Sequence, residues 1–289
     1  MVTYVFPGQG SQQKGMGAGL FDEFSDLISR ADHILDYSVK ALCLSDSCQN
    51  LGQTKYTQPA VYTVNALCYL KKNKITNRNP DYFAGHSLGE YNALFAAGAF
   101  DFETGVKLVK KRGELMSQSL GGGMAAVIGL DEKRVADILK QPSMSNLTIA
   151  NYNTASQVVI AGPITEIEHM RLLFEEAGAL YIPLNVSGAF HTCYMSEAKR
   201  QFEEFLDSIT FSEITIPVIS NVYARPYRQS DIRKNLAEHF TYPVKWTESI
   251  RYLMSQGEMA FEEIGPGNVL TKLIKKIQTE TIPLNVTCV

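Results

Sequence analysis

Residues 82–92 read Tyr-Phe-Ala-Gly-His-Ser-Leu-Gly-Glu-Tyr-Asn, and Gly85-His86-Ser87-Leu88-Gly89 at their centre is a G-x-S-x-G sequence. In such a stretch the serine sits on a sharp strand-to-helix turn that lifts its hydroxyl out of a sheet edge. The two glycines are needed because a Cβ at either place would strike neighbouring backbone. Apolar Tyr82-Phe83-Ala84 lead in, and Leu88, Tyr91, Leu94 and Phe95 follow at helical spacing. Ser87 therefore falls at a helix N-terminus, where unpaired N–H groups favour a developing oxyanion. A bare G-x-S-x-G occurs in many glycine-rich loops. The strand before it and the helix behind it make Ser87 a candidate nucleophile.

Composition narrows the class. A chain of 289 residues with 45% hydrophobic and 20% charged content has the make-up of an ordinary globular protein of enzyme size. A net charge of −3 provides no electrostatic footprint for nucleic acid, and no basic run points to a membrane surface. No apolar run reaches transmembrane length, and Thr3-Tyr4-Val5-Phe6 enters a strand without a signal-peptide pattern. Cys43, Cys48, Cys68, Cys193 and Cys288 lack metal-ligand spacing and read as reduced thiols of a cytoplasmic protein.

Strands alternate with helices on both sides of the elbow, which predicts an α/β fold: a hydrolase-like large domain with a mostly parallel sheet flanked by helices. After residues 3–6, the loop Pro7-Gly8-Gln9-Gly10-Ser11-Gln12 is a polar turn, a phosphate cradle or an oxyanion loop. It lacks the Lys-Ser/Thr of a P-loop and the third glycine of a dinucleotide fingerprint, which disfavours a nucleotide. A serine enzyme needs a second N–H donor from a loop after another strand, and this loop is the obvious source. Thr57-Gln58-Pro59 is expected to open a helix. Residues 119–187 change character: Gly121-Gly122-Gly123 reads as a hinge, and a β-α-β-β-α-β order follows. That is the ferredoxin-like pattern, inserted as a small subdomain over 123–187 between large-subdomain segments 1–122 and 188–289. Beyond it, a strand over 216–222, a polar stretch, a helix over 247–256 and a closing strand and helix are expected.

At 100° per residue, the helix near 101–118 places Phe102, Val106, Leu108, Val109, Leu115 and Met116 on one arc, with Lys107, Lys110 and Lys111 opposite. Arg112 falls inside the apolar arc. An inward guanidinium needs an anion or a polar cavity. It is either a structural ion pair with an internal Asp or Glu, or a clamp for a substrate carboxylate. Among the histidines, His33 and His169 read as surface residues, and His86 as a structural part of the elbow. His239 lies in a polar stretch. His191, on the small-residue loop Ser187-Gly188-Ala189-Phe190-His191, is a candidate base, in the Ser-before-His order of hydrolase-like folds. No Asp or Glu stands in a clear orienting position between or after them, so something else, such as a backbone carbonyl, must hold the imidazole tautomer.

The ordered motifs FPGQGSQ (6–12), GHSLGEY (85–91), KRGELM (111–116), ANYNTASQVVIAG (150–162), GAFH (188–191), PVKW (243–246) and EIGPGNVL (263–270) cover essentially the whole chain. Together they resemble the malonyl-CoA:acyl carrier protein transacylase family. The resemblance implies Ser87 as the acyl-accepting nucleophile, His191 as general base, and the Gln9 and Leu88 N–H groups as the oxyanion hole. It also implies Arg112 as the clamp on the free carboxylate of malonate, and the His239 carbonyl as the group that orients His191. Malonyl-CoA is then the acyl donor, and the phosphopantetheine thiol of a holo acyl carrier protein is the acceptor. No metal, bound cofactor, nucleic acid or membrane is implied, and a monomer is expected. Leu88 and Phe190 look like the malonyl-selecting versions, Phe190 crowding an α-methyl, while Gly188 leaves more room, so tolerance for longer diacids stays open. GAFH looks more like the free-standing acyltransferases that serve polyketide synthases than like fatty-acid enzymes, which remain the alternative. Two rivals stand beside this reading. An editing hydrolase acting on acyl carriers would have no need of Arg112, and a non-catalytic docking subunit would have no need of Ser87, His191, Arg112 and Gln9 together.

Overall fold

In the first strand, β1 (Val2–Phe6), Tyr4 and Phe6 face one apolar cluster and Val5 another, all three buried. A strand buried on both faces must lie inside a sheet with helices above and below. β1 pairs in parallel with β2 (Tyr82–Gly85) on one side and β8 (Ala260–Glu263) on the other. β7 (Val218–Ile219) completes the parallel order β7-β2-β1-β8. The computed structural model describes residues 1–76, 79–141 and 146–280; Cys288 lies outside them, and Cys43, Cys48, Cys68 and Cys193 are free thiols.

The Phe6 face is covered by apolar side chains of α1 (Leu20–Glu23), α2 (Ser25–Leu35), α3 (Val39–Leu44), α4 (Thr54–Ile75), α5 (Gly89–Ala96) and α6 (Phe102–Ser117). The later helices α9 (Ser196–Leu206) and α10 (Ile232–Glu238) join the same cluster. The Val5 face packs on Trp246, Ile250 and Leu253 of α11 (Trp246–Ser255) and on Leu270, Ile274 and Ile277 of α12 (Val269–Glu280).

Between α6 and α9 the chain builds a second sheet. The elements run β3 (Gly122–Ile128), α7 (Glu132–Leu139), β4 (Thr148–Thr154), β5 (Gln157–Pro163), α8 (Ile164–Glu176) and β6 (Leu180–Pro183), in the antiparallel order β4-β5-β3-β6. This is the ferredoxin-like arrangement expected from the order of elements. One face packs Ala125, Val127, Val158 and Ile160 against α7 and α8. The other face contributes Met124, Ala126, Val159 and Ala161 to the cluster beneath the large sheet, so the two sheets share a core.

Four expectations are corrected. The helix expected from Thr57 starts at Thr54, which places Pro59 in its second turn, inside the helix. The glycine hinge is largely strand: Gly122 and Gly123 open β3, and a Cβ on Gly122 would lie 2.3 Å from the Ala189 nitrogen. Gly122 is thus where the chain leaving the large sheet touches the chain returning to it. The strand over 216–222 shrinks to Val218–Ile219, because Ser220 and Asn221 turn out of the ladder to bond elsewhere. The polar stretch after it contains α10, whose Ile232 and Leu236 are buried one turn apart.

Candidate active site

The elbow has the geometry its glycines require. A Cβ on Gly85 would sit 2.0 Å from the Gly89 carbonyl carbon, and one on Gly89 would sit 2.0 Å from the Phe6 carbonyl oxygen. Ser87 itself adopts φ +50°, a left-handed conformation costly for a residue with a side chain and held only by its surroundings. His191 is also left-handed, at φ +63°.

These two strained residues meet. Ser87 Oγ lies 2.8 Å from His191 Nε2, and His191 Nδ1 lies 2.7 Å from the His239 carbonyl oxygen. A carbonyl can only accept, so Nδ1 carries the proton and Nε2 is left with a lone pair for the serine hydroxyl. Burial lowers the His191 pKa to about 3, with the Arg112 cation as the second cause. The imidazole is therefore neutral throughout the ordinary pH range.

Arg112 reaches the same point from α6. It is 1% exposed; Nη1 donates to Gln58 Oε1 at 2.8 Å and Nη2 to Ser87 Oγ at 3.2 Å. The Tyr91 and Phe240 rings flank it at 5.5 and 5.8 Å. Among the described residues no carboxylate lies within ion-pair distance, and Arg112 Nε has no hydrogen-bond partner. The structural ion pair that the sequence left open is absent at contact distance there; the buried Glu90 acts on Arg112 only from farther off, and burial favours its uncharged form.

The Pro7–Gln12 loop packs on the elbow, where a Cβ on Gly8 would be 2.4 Å from the His86 oxygen and 3.4 Å from the Leu88 nitrogen. Asn65 Nδ2 ties the loop down by donating to the Pro7 carbonyl at 2.9 Å, and Gln9 Nε2 donates to Thr54 Oγ1 at 3.1 Å. Among the described residues neither the Gln9 nor the Leu88 backbone N–H has a hydrogen-bond partner. Two donors are thus left unused, that of Leu88 on the residue following the serine.

Phe190 is buried, and its ring fills the space beside Gly188: a Cβ there would lie 2.8 Å from Phe190 Cε1. A side chain at position 188 would therefore displace the Phe190 ring. His86 Nε2 bonds Asn153 Oδ1 of β4 at 2.8 Å and packs edge-on against Trp246, which fastens the elbow to the second sheet. His33 and His169 are exposed. His239, although it lies in a polar stretch of sequence, is fully buried, with its ring 4.8 Å from that of His191.

Glu90 escaped the sequence reading, which found no acid near the pair. It is fully buried, accepts from the Tyr227 hydroxyl and, at 2.6 Å, from the Asn221 N–H, and lies 3.9 Å from His239 Nδ1. Burial raises its pKa to about 8, against the lowering effect of those two bonds. The sequence carries no signal for it: only the structure shows Gly89–Leu94 buried all round, which leaves a carboxyl on that helix nowhere to go but inward. Among the described residues no group of His, Cys, Asp or Glu is arranged to hold a metal ion, and no helix is long and apolar enough to cross a membrane.

A family model for the acyl transferase domain matches residues 3–286. The polyketide biosynthesis malonyl CoA-acyl carrier protein transacylase PksC of Bacillus subtilis is 58% identical, over 97% of this chain and 98% of its own length. The polyketide biosynthesis protein PksE of the same organism is 57% identical over 98% of this chain, which spans only 37% of that longer relative. A crystal structure of malonyl CoA-acyl carrier protein transacylase from Burkholderia pseudomallei superposes with a TM-score of 0.96 at 47% identity, covering 98% of this chain and 99% of that one. The chain therefore belongs to the acyl transferase domain family and, within it, to the malonyl CoA-acyl carrier protein transacylases.

Proposed function

We propose that the protein moves a malonyl group from malonyl-CoA to the phosphopantetheine thiol of an acyl carrier protein through an ester on Ser87, and that the carrier serves polyketide synthesis. The observation that carries this reading is the buried Arg112 guanidinium, 3.2 Å from Ser87 Oγ and with no carboxylate in ion-pair contact among the described residues. A buried cation without an anion is costly, and an acyl group that brings its own carboxylate removes that cost.

In the first half-reaction the Ser87 proton passes to His191 Nε2 as Oγ attacks the thioester carbonyl. The oxyanion is held by the Leu88 and Gln9 N–H groups. The carbon–sulfur bond breaks, and His191 returns the proton to the departing CoA sulfur. The second half-reaction runs the same steps with the carrier thiol as nucleophile. The His239 carbonyl keeps the Nδ1 proton in place throughout, the part a carboxylate plays in other serine enzymes. Phe190 is assigned to crowd an α-methyl on the acyl group, worth about 1–3 kcal/mol against methylmalonyl. Polyketide rather than fatty-acid service is favoured by the GAFH sequence and by the names of the relatives above half identity. Four free thiols fit a reducing cytoplasm.

The test is intact mass after mixing with malonyl-, methylmalonyl- or acetyl-CoA, with and without holo acyl carrier protein. One malonyl increment on the enzyme that then passes to the carrier is the expected result, with methylmalonyl slower and acetyl slowest. An unlabelled enzyme that hydrolyses acetyl-carrier would instead establish the editing hydrolase.

The pH dependence follows from His191. With its folded pKa pushed down to about 3, the free enzyme holds a neutral base at every pH above that. We expect kcat/KM for malonyl-CoA to stay flat on the acid side, without the inflection near the ordinary histidine value of 6.5. Once malonate sits on Arg112, the repulsion that depresses His191 is partly cancelled, and its pKa rises. The acid limb of kcat is therefore expected at higher pH than that of kcat/KM. Coincident limbs would contradict the assignment of Arg112.

A further inference from the structure

Asn221, just beyond the short strand β7, is 1% exposed and uses both ends of its amide on the elbow. Its Oδ1 accepts from the Ser87 N–H at 2.7 Å, and its Nδ2 donates to the Gly85 carbonyl at 2.6 Å. Its backbone is equally committed: the N–H donates to Glu90 Oε2 at 2.6 Å, and the carbonyl accepts from the Lys245 N–H at 2.9 Å. The other Glu90 oxygen is bonded to Tyr227, which returns to β7 through its own N–H on the Val218 carbonyl. The chain from β7 thus closes a loop of bonds on the back of the serine turn.

From this geometry we infer that Asn221 is a positioning residue for the acyl transfer, with Glu90 as its anchor. Two consequences of the bonding support it. The tie to Gly85 and Ser87 spans the residues on either side of the turn and holds Ser87 at φ +50°, a conformation it would otherwise leave. The same tie takes the Ser87 N–H out of use and leaves Leu88 as the elbow's donor toward a developing oxyanion. Asn221 touches backbone and not the serine oxygen, so it acts through Ser87. A small rotation of the elbow would separate Oγ from His191 and turn the Leu88 N–H away together.

The inference rests on the acyl-transfer reading, and two probes keep the failures apart. Rapid-quench acylation by malonyl-CoA reports the transfer, while a fluorophosphonate reagent reports Ser87 reactivity whatever the natural donor. With Asn221→Ala we expect both rates to fall about 100-fold, the scale of a misplaced reacting group. KM for malonyl-CoA should stay within about threefold, since Arg112 is untouched. Glu90→Ala, which leaves the Asn221 side chain in place but frees its backbone, should lower both rates about 10-fold. Glu90→Gln should restore them, because an amide offers the same acceptor to Asn221 and fits the uncharged form that burial favours.

A folded Asn221→Ala enzyme that reacts with both probes at the wild-type rate would overturn the inference. If that variant does not fold, the Glu90 pair decides: equal rates for alanine and glutamine would overturn it, and rescue by glutamine would sustain it. A wild type labelled by the fluorophosphonate but not by malonyl-CoA would sink the functional reading alone.

Discussion

Changing Ser87 to alanine is expected to abolish the malonyl adduct and to lower transfer to the carrier by about 10⁴-fold or more, the scale seen when a nucleophile is removed. The reason is local. Ser87 Oγ contacts both His191 Nε2 and Arg112 Nη2, so its loss removes the attacking group and the centre that those two side chains share. His191→Ala is expected to be nearly as damaging, because the two act as a unit and their losses do not add. The measurement is single-turnover acylation followed by intact mass, with melting temperature as the check on folding. Ser87→Ala protein that still transfers malonate would leave the protein as a scaffold whose serine is incidental.

The second large effect belongs to Arg112. With Arg112→Ala, kcat/KM for malonyl-CoA is expected to fall by about 10²–10⁴-fold, from about 3–5 kcal/mol for breaking a buried charge pair. Acetyl-CoA, which carries no second carboxylate, should lose far less and could become the better donor of the two. Arg112→Lys separates charge from shape. A lysine keeps the cation but cannot bond Gln58 and the substrate with the same planar fork, so most of the loss should remain. Equal losses for malonyl- and acetyl-CoA would reassign Arg112 to holding the core, where the Tyr91 and Phe240 rings already pack on it.

The parts of this protein legible in its sequence are those with a period or a steric necessity. The elbow could be read because its glycines admit no Cβ, and Arg112 because one charge fell on the apolar arc of a helix. The ferredoxin-like insert followed from the order of its elements. The unread parts depend on contacts between distant backbones. Asn221 sits 134 residues from the serine whose N–H it holds, and nothing local marks an asparagine after a strand as different from a turn. The His239 carbonyl has no side-chain signature at all, and came only from resemblance. Glu90 was passed over because a single carboxyl on a short helix reads as solvated until the helix is known to be buried all round.

The order β7-β2-β1-β8 also governs how the chain can be made. Of the four strands of the large sheet β1 is made before the others, yet it lies in the interior of the sheet, and Val2 does not find its partner at Ala260 until the other strands have been synthesised. The nascent protein must carry an apolar strand with one unpaired edge from the time β2 pairs with it until β8 is made. The serine, arginine and histidine will all have emerged before the last strand closes on the far side of β1. Folding of the large sheet is therefore a late, long-range event. The interval before β8 arrives is when the protein is most exposed to aggregation.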